Sequence, residues 1–201
     1  MARAFANPAH RRPFLLGSFF RGLSFALIGF FAFSSAPDSV QGQPVQPTEY
    51  QVKAAYLFNF GKFVTWPEEV RKQRQTFQLC VLGPDPFGSV LDDTIRGEKL
   101  DGKTVAARRL SSAVESASCA IVFISTAEQH RLSFLIPLLQ RQHVLTVSDI
   151  PHFVDHGGDI GFVATGGRIR FEVNQSAAEE AGLSLSSELL KVATSVRKGG
   201  K

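Results

Sequence analysis

An α/β fold is what this sequence predicts: a single-domain, three-layer sandwich on a mostly parallel sheet with a C-terminal β-hairpin. Three observations carry that expectation. Apolar runs of strand length alternate with segments of helical periodicity, the order that βαβ units produce. One run, Ala120-Ile121-Val122-Phe123-Ile124, has no polar position, as a strand covered on both faces requires. Near the end, two alternating runs flank Thr165-Gly166-Gly167, and a glycine pair between such runs predicts a hairpin.

The elements follow in order. Val52, Ala55, Tyr56, Phe60 and Phe63 recur at threes and fours, which predicts a helix from Glu49 to Trp66, stopped by Pro67. Phe77 to Leu82 is a short apolar run closed by Gly83-Pro84, hence a strand. Phe87 to Ile95 reads as helix and Lys103 to Leu110 as strand, with a short helix opened by Ser111 or Ser112. Ala120 to Ile124 is the central strand. Glu128 to Gln140 is a helix containing Pro137, and His143 to Val147 is a further strand. Asp149 to His156 is expected as a short helix capped by Asp149. The hairpin arms are Asp159 to Ala164 and Arg168 to Val173; in the second, Ile169, Phe171 and Val173 share one face. Gln175 to Gly182 and Ser186 to Val196 close the chain as helices.

The segment before this domain has a different character. Residues 1–36 hold Arg3, Arg11, Arg12 and Arg21, no acidic residue, and an uncharged run from Gly22 to Phe33 that leads to Ser34-Ser35-Ala36. A basic start, a short apolar run and a small-residue exit are the parts of a secretory signal peptide. A membrane anchor is the competing reading. It needs roughly 20 apolar residues, a length that Phe14 to Phe33 reaches only by burying Arg21 at a cost of about 2.5–3.5 kcal/mol. Arg11-Arg12-Pro13 also resembles a twin-arginine start, which leaves the export route open. The expected organisation is thus signal peptide 1–36, polar linker 37–48, α/β domain 49–196 and a frayed tail 197–201.

Export changes how charge and cysteine are read. The first 36 residues take four of the 22 basic residues and none of the 18 acidic ones, so the remainder carries 18 of each. A neutral domain gives no reason to expect nucleic acid as a partner. Cys80 and Cys119 are the only cysteines, and in an oxidising compartment such a pair is expected as a disulfide.

Known chemical motifs are missing. There is no G-x-S-x-G, H-E-x-x-H, Walker A or G-x-G-x-x-G pattern, and the cysteines do not form C-x-x-C. Gly83 to Gly88 stands where a phosphate loop would, yet Pro84 and Pro86 have no N–H to offer and Asp85 repels anions, so a tight turn is the better reading. His152 and His156, with Asp149, Asp155 and Asp159 nearby, have metal-ligand character, but no third ligand is fixed by spacing; a capped helix end is preferred and no metal is expected. Ser148, Asp149 and His152 are the residue types of a hydrolase triad packed too tightly along the chain to align as one. No cofactor, no metal and no catalytic residue are therefore expected. Tyr50, Tyr56, Phe58, Phe60, Phe63 and Trp66 crowd one helix; most belong to a core, while Phe58, off the main stripe, and Trp66 are candidates for a partner-binding surface.

Several ordered blocks resemble one family. Lys53-Ala54-Ala55-Tyr56-Leu57-Phe58-Asn59-Phe60-Gly61-Lys62-Phe63-Val64-Thr65-Trp66-Pro67 looks like the opening helix of YfiR-like (DUF4154) proteins. The likeness continues through Cys80 to Gly83, Asp85 to Gly88, Cys119 to Ser125, Leu145 to Ile150, Gly157 to Phe162, Arg168 to Asn174 and Leu183 to Leu190. The resemblance implies an α/β fold and a periplasmic, non-enzymatic, often dimeric regulator. Such a protein binds the periplasmic part of an inner-membrane diguanylate cyclase and holds it inactive, until an OmpA-like outer-membrane lipoprotein sequesters it. Cys80 and Cys119 fall where the family has a structural disulfide. A second, redox-linked cysteine pair of the namesake has no counterpart in this chain. The alternative is a small-molecule module using the cleft at the C-terminal ends of the strands, where Gly83, Asp85, Ser125, Ser148 and Asp149 would line it.

Overall fold

The computed structural model describes residues 47–199, so the expected signal peptide and most of the expected linker lie outside the described residues. Thr48 opens the first helix, α1 (Glu49–Phe63), by a capping box with Gln51: the Thr48 hydroxyl accepts from the Gln51 N–H and the Gln51 side chain accepts from the Thr48 N–H. β1 (Val64–Thr65) follows, then α2 (Glu68–Gln73), β2 (Phe77–Leu82), α3 (Ser89–Ile95), β3 (Lys99–Leu100), β4 (Lys103–Leu110) and β5 (Cys119–Ile124). The second half contains α4 (Leu132–Gln140), β6 (Leu145–Ser148), β7 (Ile160–Thr165), β8 (Arg168–Asn174), α5 (Gln175–Glu180), β9 (Ser184–Leu185), α6 (Ser187–Val192) and β10 (Val196–Arg197).

Eight strands form the main sheet in the order β10-β8-β7-β6-β5-β2-β4-β3, and β1 pairs with β9 separately. From β4 to β7 every neighbour is parallel, and the β7–β8 hairpin is antiparallel, as expected. Its turn residues Gly166 and Gly167 have φ of 58° and 71°, the left-handed pair that a tight hairpin demands. Alternation along β2 and β5 divides the core. Leu79, Val81, Ile121 and Phe123 face the layer of α1, α3 and α6, whereas Cys80, Leu82, Val122 and Ile124 face α4. All six residues of β5 are buried, which is why its sequence shows no alternation. Cys80 and Cys119 are bonded on the α4 side and are 2% and 0% exposed.

Five expectations are corrected. Asp149 to His156 is a string of turns rather than a helix: Pro151 follows Ile150, His152 sits at φ 59°, and Ile150, Phe153 and Val154 turn into the core. The helix expected from Glu128 begins as a 3-10 turn (Thr126–Arg131), and α4 starts only at Leu132. The last helix stops at Val192, and Arg197, expected in a frayed tail, pairs with Asn174 as part of edge strand β10. α1 stops at Phe63 because Val64 and Thr65 pair with Leu185 and Ser184. No helix among the described residues is long and apolar enough to cross a membrane.

Candidate functional site

β2 is flanked by β4 and β5, so the chain leaves it on one side and returns on the other. The crevice at the carboxyl ends of β2 and β5 is where such sheets commonly take ligands. Gly83, expected there, has φ 89°, and a Cβ on it would lie 2.9 Å from Cγ of Glu128 and 3.2 Å from Cβ of Ser125. Glu128 lies over this point, tied to Arg131 at 2.9 Å, and covers the floor of the expected cleft.

The other expected ligand residues are engaged internally. Asp85 accepts from the N–H of Phe87 at 2.8 Å and from Arg109 Nε at 2.8 Å. Arg109 also pairs with Asp92, and these bonds hold the Asp92 carboxyl below its ordinary range. Ser125 donates its N–H to the Leu82 carbonyl, joining the two strand ends. The Ser148 hydroxyl donates to the Ile124 carbonyl at 2.7 Å and accepts from the Ile150 N–H at 3.0 Å. Gly83, Ser125 and Ser148 are thus neighbours, while Asp85 turns to β4 and Asp149 to α1.

Asp149 meets Lys53, a residue the aromatic stripe of α1 had hidden. Lys53 Nζ is 2.5 Å from Asp149 Oδ2 and also pairs with Glu49; its side chain is 3% exposed. The ammonium lies 4.5 Å from the centre of the Tyr50 ring, and the Tyr50 hydroxyl donates to Asp149 Oδ2 at 3.0 Å. Burial, and then the Asp149 charge, push the Tyr50 hydroxyl up to about 12. Asp149 Oδ1 is buried without a partner. One signal could have found Lys53: a cation in helical register with Leu57 and Phe60, on the apolar side of the helix.

The residues read as a metal cluster are dispersed among different partners. Asp155 pairs with Arg197 and His152, Asp149 with Lys53, and Asp159 with Thr146. No group of three potential metal ligands converges among the described residues. Ser148 Oγ bonds to backbone and the His152 ring bonds to Asp155, so the triad types are not connected.

Asp159 is fully buried beside β6. Its Oδ2 accepts from Thr146 N–H at 2.8 Å and Thr146 Oγ1 at 2.7 Å, and its Oδ1 has no partner. Burial pushes this carboxyl up to about 7, against the two bonds from Thr146. A folded-state value above the unfolded one favours the fold in acid, and that stability is lost as pH rises from about 4 to about 7. Asp159→Asn should flatten this loss, which is on the order of 4 kcal/mol at most. Urea midpoints of both proteins across that range check it; parallel curves would refute it.

Phe58 and Trp66, expected at a partner surface, are core residues at 9% and 5% exposure. The Phe58 ring lies under Lys62 Nζ at 4.4 Å, and Trp66 packs edge-on against Phe77 at 5.3 Å. α1 is covered by α3, α6 and the sheet, so its buried arc is wider than one stripe. What remains open is a groove of about 280 Å³ between α1 and α6, lined by Tyr56, Asn59, Phe63, Leu189 and Val192. Phe63 and Val192 are 39% and 63% exposed. A second hollow of about 350 Å³ adjoins it at Tyr56 and Asn59.

A family model described as DUF4154, YfiR/HmsC-like, matches residues 50–194. No curated protein matches. Among solved structures, a conserved domain protein from Vibrio cholerae O1 biovar El Tor is 12% identical, with a TM-score of 0.45 over 65% of this chain and 59% of that one. An ABC domain in complex with L-Trp from Streptococcus pneumonia is 13% identical, with a TM-score of 0.43 over 63% of this chain and 58% of that one. The chain thus spans a little under three fifths of each, and likeness at these scores carries nothing on function.

Proposed function

The chain belongs to the YfiR/HmsC-like (DUF4154) family, and from that premise we propose that it is a periplasmic regulator in cyclic-di-GMP signalling. In this reading residues 1–36 are removed on export, and the mature domain binds the periplasmic part of an inner-membrane diguanylate cyclase and holds it inactive. It does so by binding one state of the sensor, which shifts the population away from productive pairing of the cyclase domains. An OmpA-like outer-membrane lipoprotein would relieve the repression by competing for the regulator, and the regulator itself would work as a homodimer.

One observation supports action through a surface in particular. At the strand ends Asp85, Ser148 and one oxygen of Asp149 are held by internal bonds and Glu128 lies over Gly83, while an apolar groove with two large exposed side chains stays open between α1 and α6. Exposed apolar grooves of this kind mark sites of protein contact. The small-molecule alternative at the strand C-termini has one feature in its favour, the unpartnered Asp149 Oδ1.

A tagged chain should co-purify a membrane protein that carries a diguanylate cyclase domain. Phe63→Asp with Val192→Asp should weaken that capture at least about tenfold and raise cellular cyclic-di-GMP, without lowering the melting temperature. Full repression by the double variant would reject the groove, and failure to capture any cyclase would reject the function.

A further inference from the structure

The hairpin of β7 and β8 extends past the strands on either side of it. β6 pairs with β7 only at Ile160 and Gly161, and β10 pairs with β8 only at Val173 and Asn174. The direction of each β8 peptide group follows from its bonds. The Asn174 N–H donates to the Asp159 carbonyl at the base of β7, whereas the Val173 N–H donates outward to the Ser195 carbonyl and the Phe171 carbonyl accepts from Thr194. Alternation therefore turns the Phe171 N–H and both backbone groups of Ile169 outward, where no strand lies beside them among the described residues.

The two faces at this open edge differ. Ile169 is half-buried and packs against the core layer of α1, α3 and α6, and Phe171, on the same face, lines the α1–α6 groove. Arg168 and Arg170 are exposed on the opposite face. Neither makes an ion pair among the described residues. Their cross-strand neighbours are Thr165 and Val163, and the one acid of β8, Glu172, lies toward the base, opposite Gly161.

We propose that the open edge of β8 takes an extended segment of a partner protein in which apolar and acidic residues alternate. The added strand would exchange bonds with the Ile169 N–H and carbonyl and accept from the Phe171 N–H. Its side chains would alternate as those of β8 do. One set would lie beside Ile169 at the mouth of the groove, the other beside Arg168 and Arg170. The arginines select the occupant. A second copy of β8, paired in register in either direction, would set arginine beside arginine, whereas an acidic strand gains opposite-sign pairs. The inference rests on the reading of the α1–α6 groove as a protein-contact surface and names the chemistry that reaches it.

A fluorescein-labelled peptide of alternating glutamate and valine should bind the purified protein saturably, and more weakly as salt rises. It should bind at least about tenfold more tightly than its lysine–valine counterpart. Arg168→Glu with Arg170→Glu should reverse that preference. Ile169→Pro removes an outward N–H without touching the bonds to β7, and should weaken the peptide at least about tenfold, whereas Ile169→Val should not. Both arginines are exposed, so the charge variant decides the matter should the proline disrupt the hairpin. No saturable binding, equal binding of the two peptides, or an unchanged preference in the folded charge variant would each overturn the proposal. Sedimentation with phosphatidylglycerol vesicles, lost in the charge variant and unaccompanied by peptide binding, would overturn it too and assign the arginines to a lipid surface. Peptide binding without capture of any cyclase would reject the proposed function and keep the edge; capture without peptide binding would reject the edge alone.

Discussion

Lys53→Met is expected to destabilise the domain by about 3–5 kcal/mol, the cost of removing one partner of a buried ion pair. The reason lies with the residue left behind. Asp149 has a side chain only 11% exposed, and one of its oxygens already lacks a partner. Without the ammonium, only the Tyr50 hydroxyl would still donate to that side chain. The ammonium's position 4.5 Å from the Tyr50 ring centre contributes as well. The Glu49 contact contributes little, because Glu49 is more than half exposed. For a domain of this size the loss corresponds to roughly 6–20 °C in melting temperature. Asp149→Asn in the same chain should recover part of it by removing the stranded charge, so the two changes will not be additive. Thermal melts of the four proteins of that cycle test the argument. A loss below about 1 kcal/mol for Lys53→Met would mean that the pair is held as loosely as a surface one.

That pair also shows where reading the chain stops. Lys53 and Asp149 are 96 positions apart, and no local spacing reports such a meeting. Asp149 has the residue type of a helix cap, but Pro151 and the inward turn of Phe153 leave no helix to cap. β2, β5 and the β7–β8 hairpin were legible because their signals are local: an apolar run of strand length, or a glycine pair at left-handed φ. The two-residue strands β1, β3, β9 and β10 have no period to read, since pairing alone defines them. α2 buries none of its residues and so shows no stripe. Its only local trace is charge, with Glu68 and Glu69 in the first turn and Arg71 and Lys72 in the last, as the helix dipole favours.

The same distinction separates the candidate surfaces. Gly83, Ser125 and Ser148 are at the strand ends as expected, because an end is a property of the strand itself. Whether those ends are vacant depends on Glu128, which reaches them from another element. Phe58 and Trp66 are aromatic and sit on the expected helix, but their burial is decided by α3, α6 and Phe77, which no pattern within α1 reveals. The open groove emerges only when α6 is laid beside α1.

Replacing both cysteines, Cys80→Ala with Cys119→Ala, is expected to lower stability by about 4 kcal/mol, the chain-entropy value for a loop of this length. The bond closes a sequence separation of 39 residues that contains α3, β4 and the crossover to β5. In the folded protein it is nearly redundant. β2 and β5 are already joined by a parallel ladder from Leu79 to Leu82 against Ile121 to Ile124, with a register shift at Gln78. Removing the bond therefore leaves the native arrangement of the strands in place and acts mainly by freeing the unfolded chain. Both sulfurs lie in the closed α4-side core, so reductant should attack slowly until the domain opens. Two outcomes follow from a structural bond. The double variant should melt far below the parent, and below its own melting temperature it should show unchanged affinity for the membrane partner proposed above. An unchanged melt would show that the loop is already ordered in the unfolded chain. Lost capture by a folded variant would mean that the bond holds the binding surface itself, and the disulfide would then be part of the regulatory mechanism.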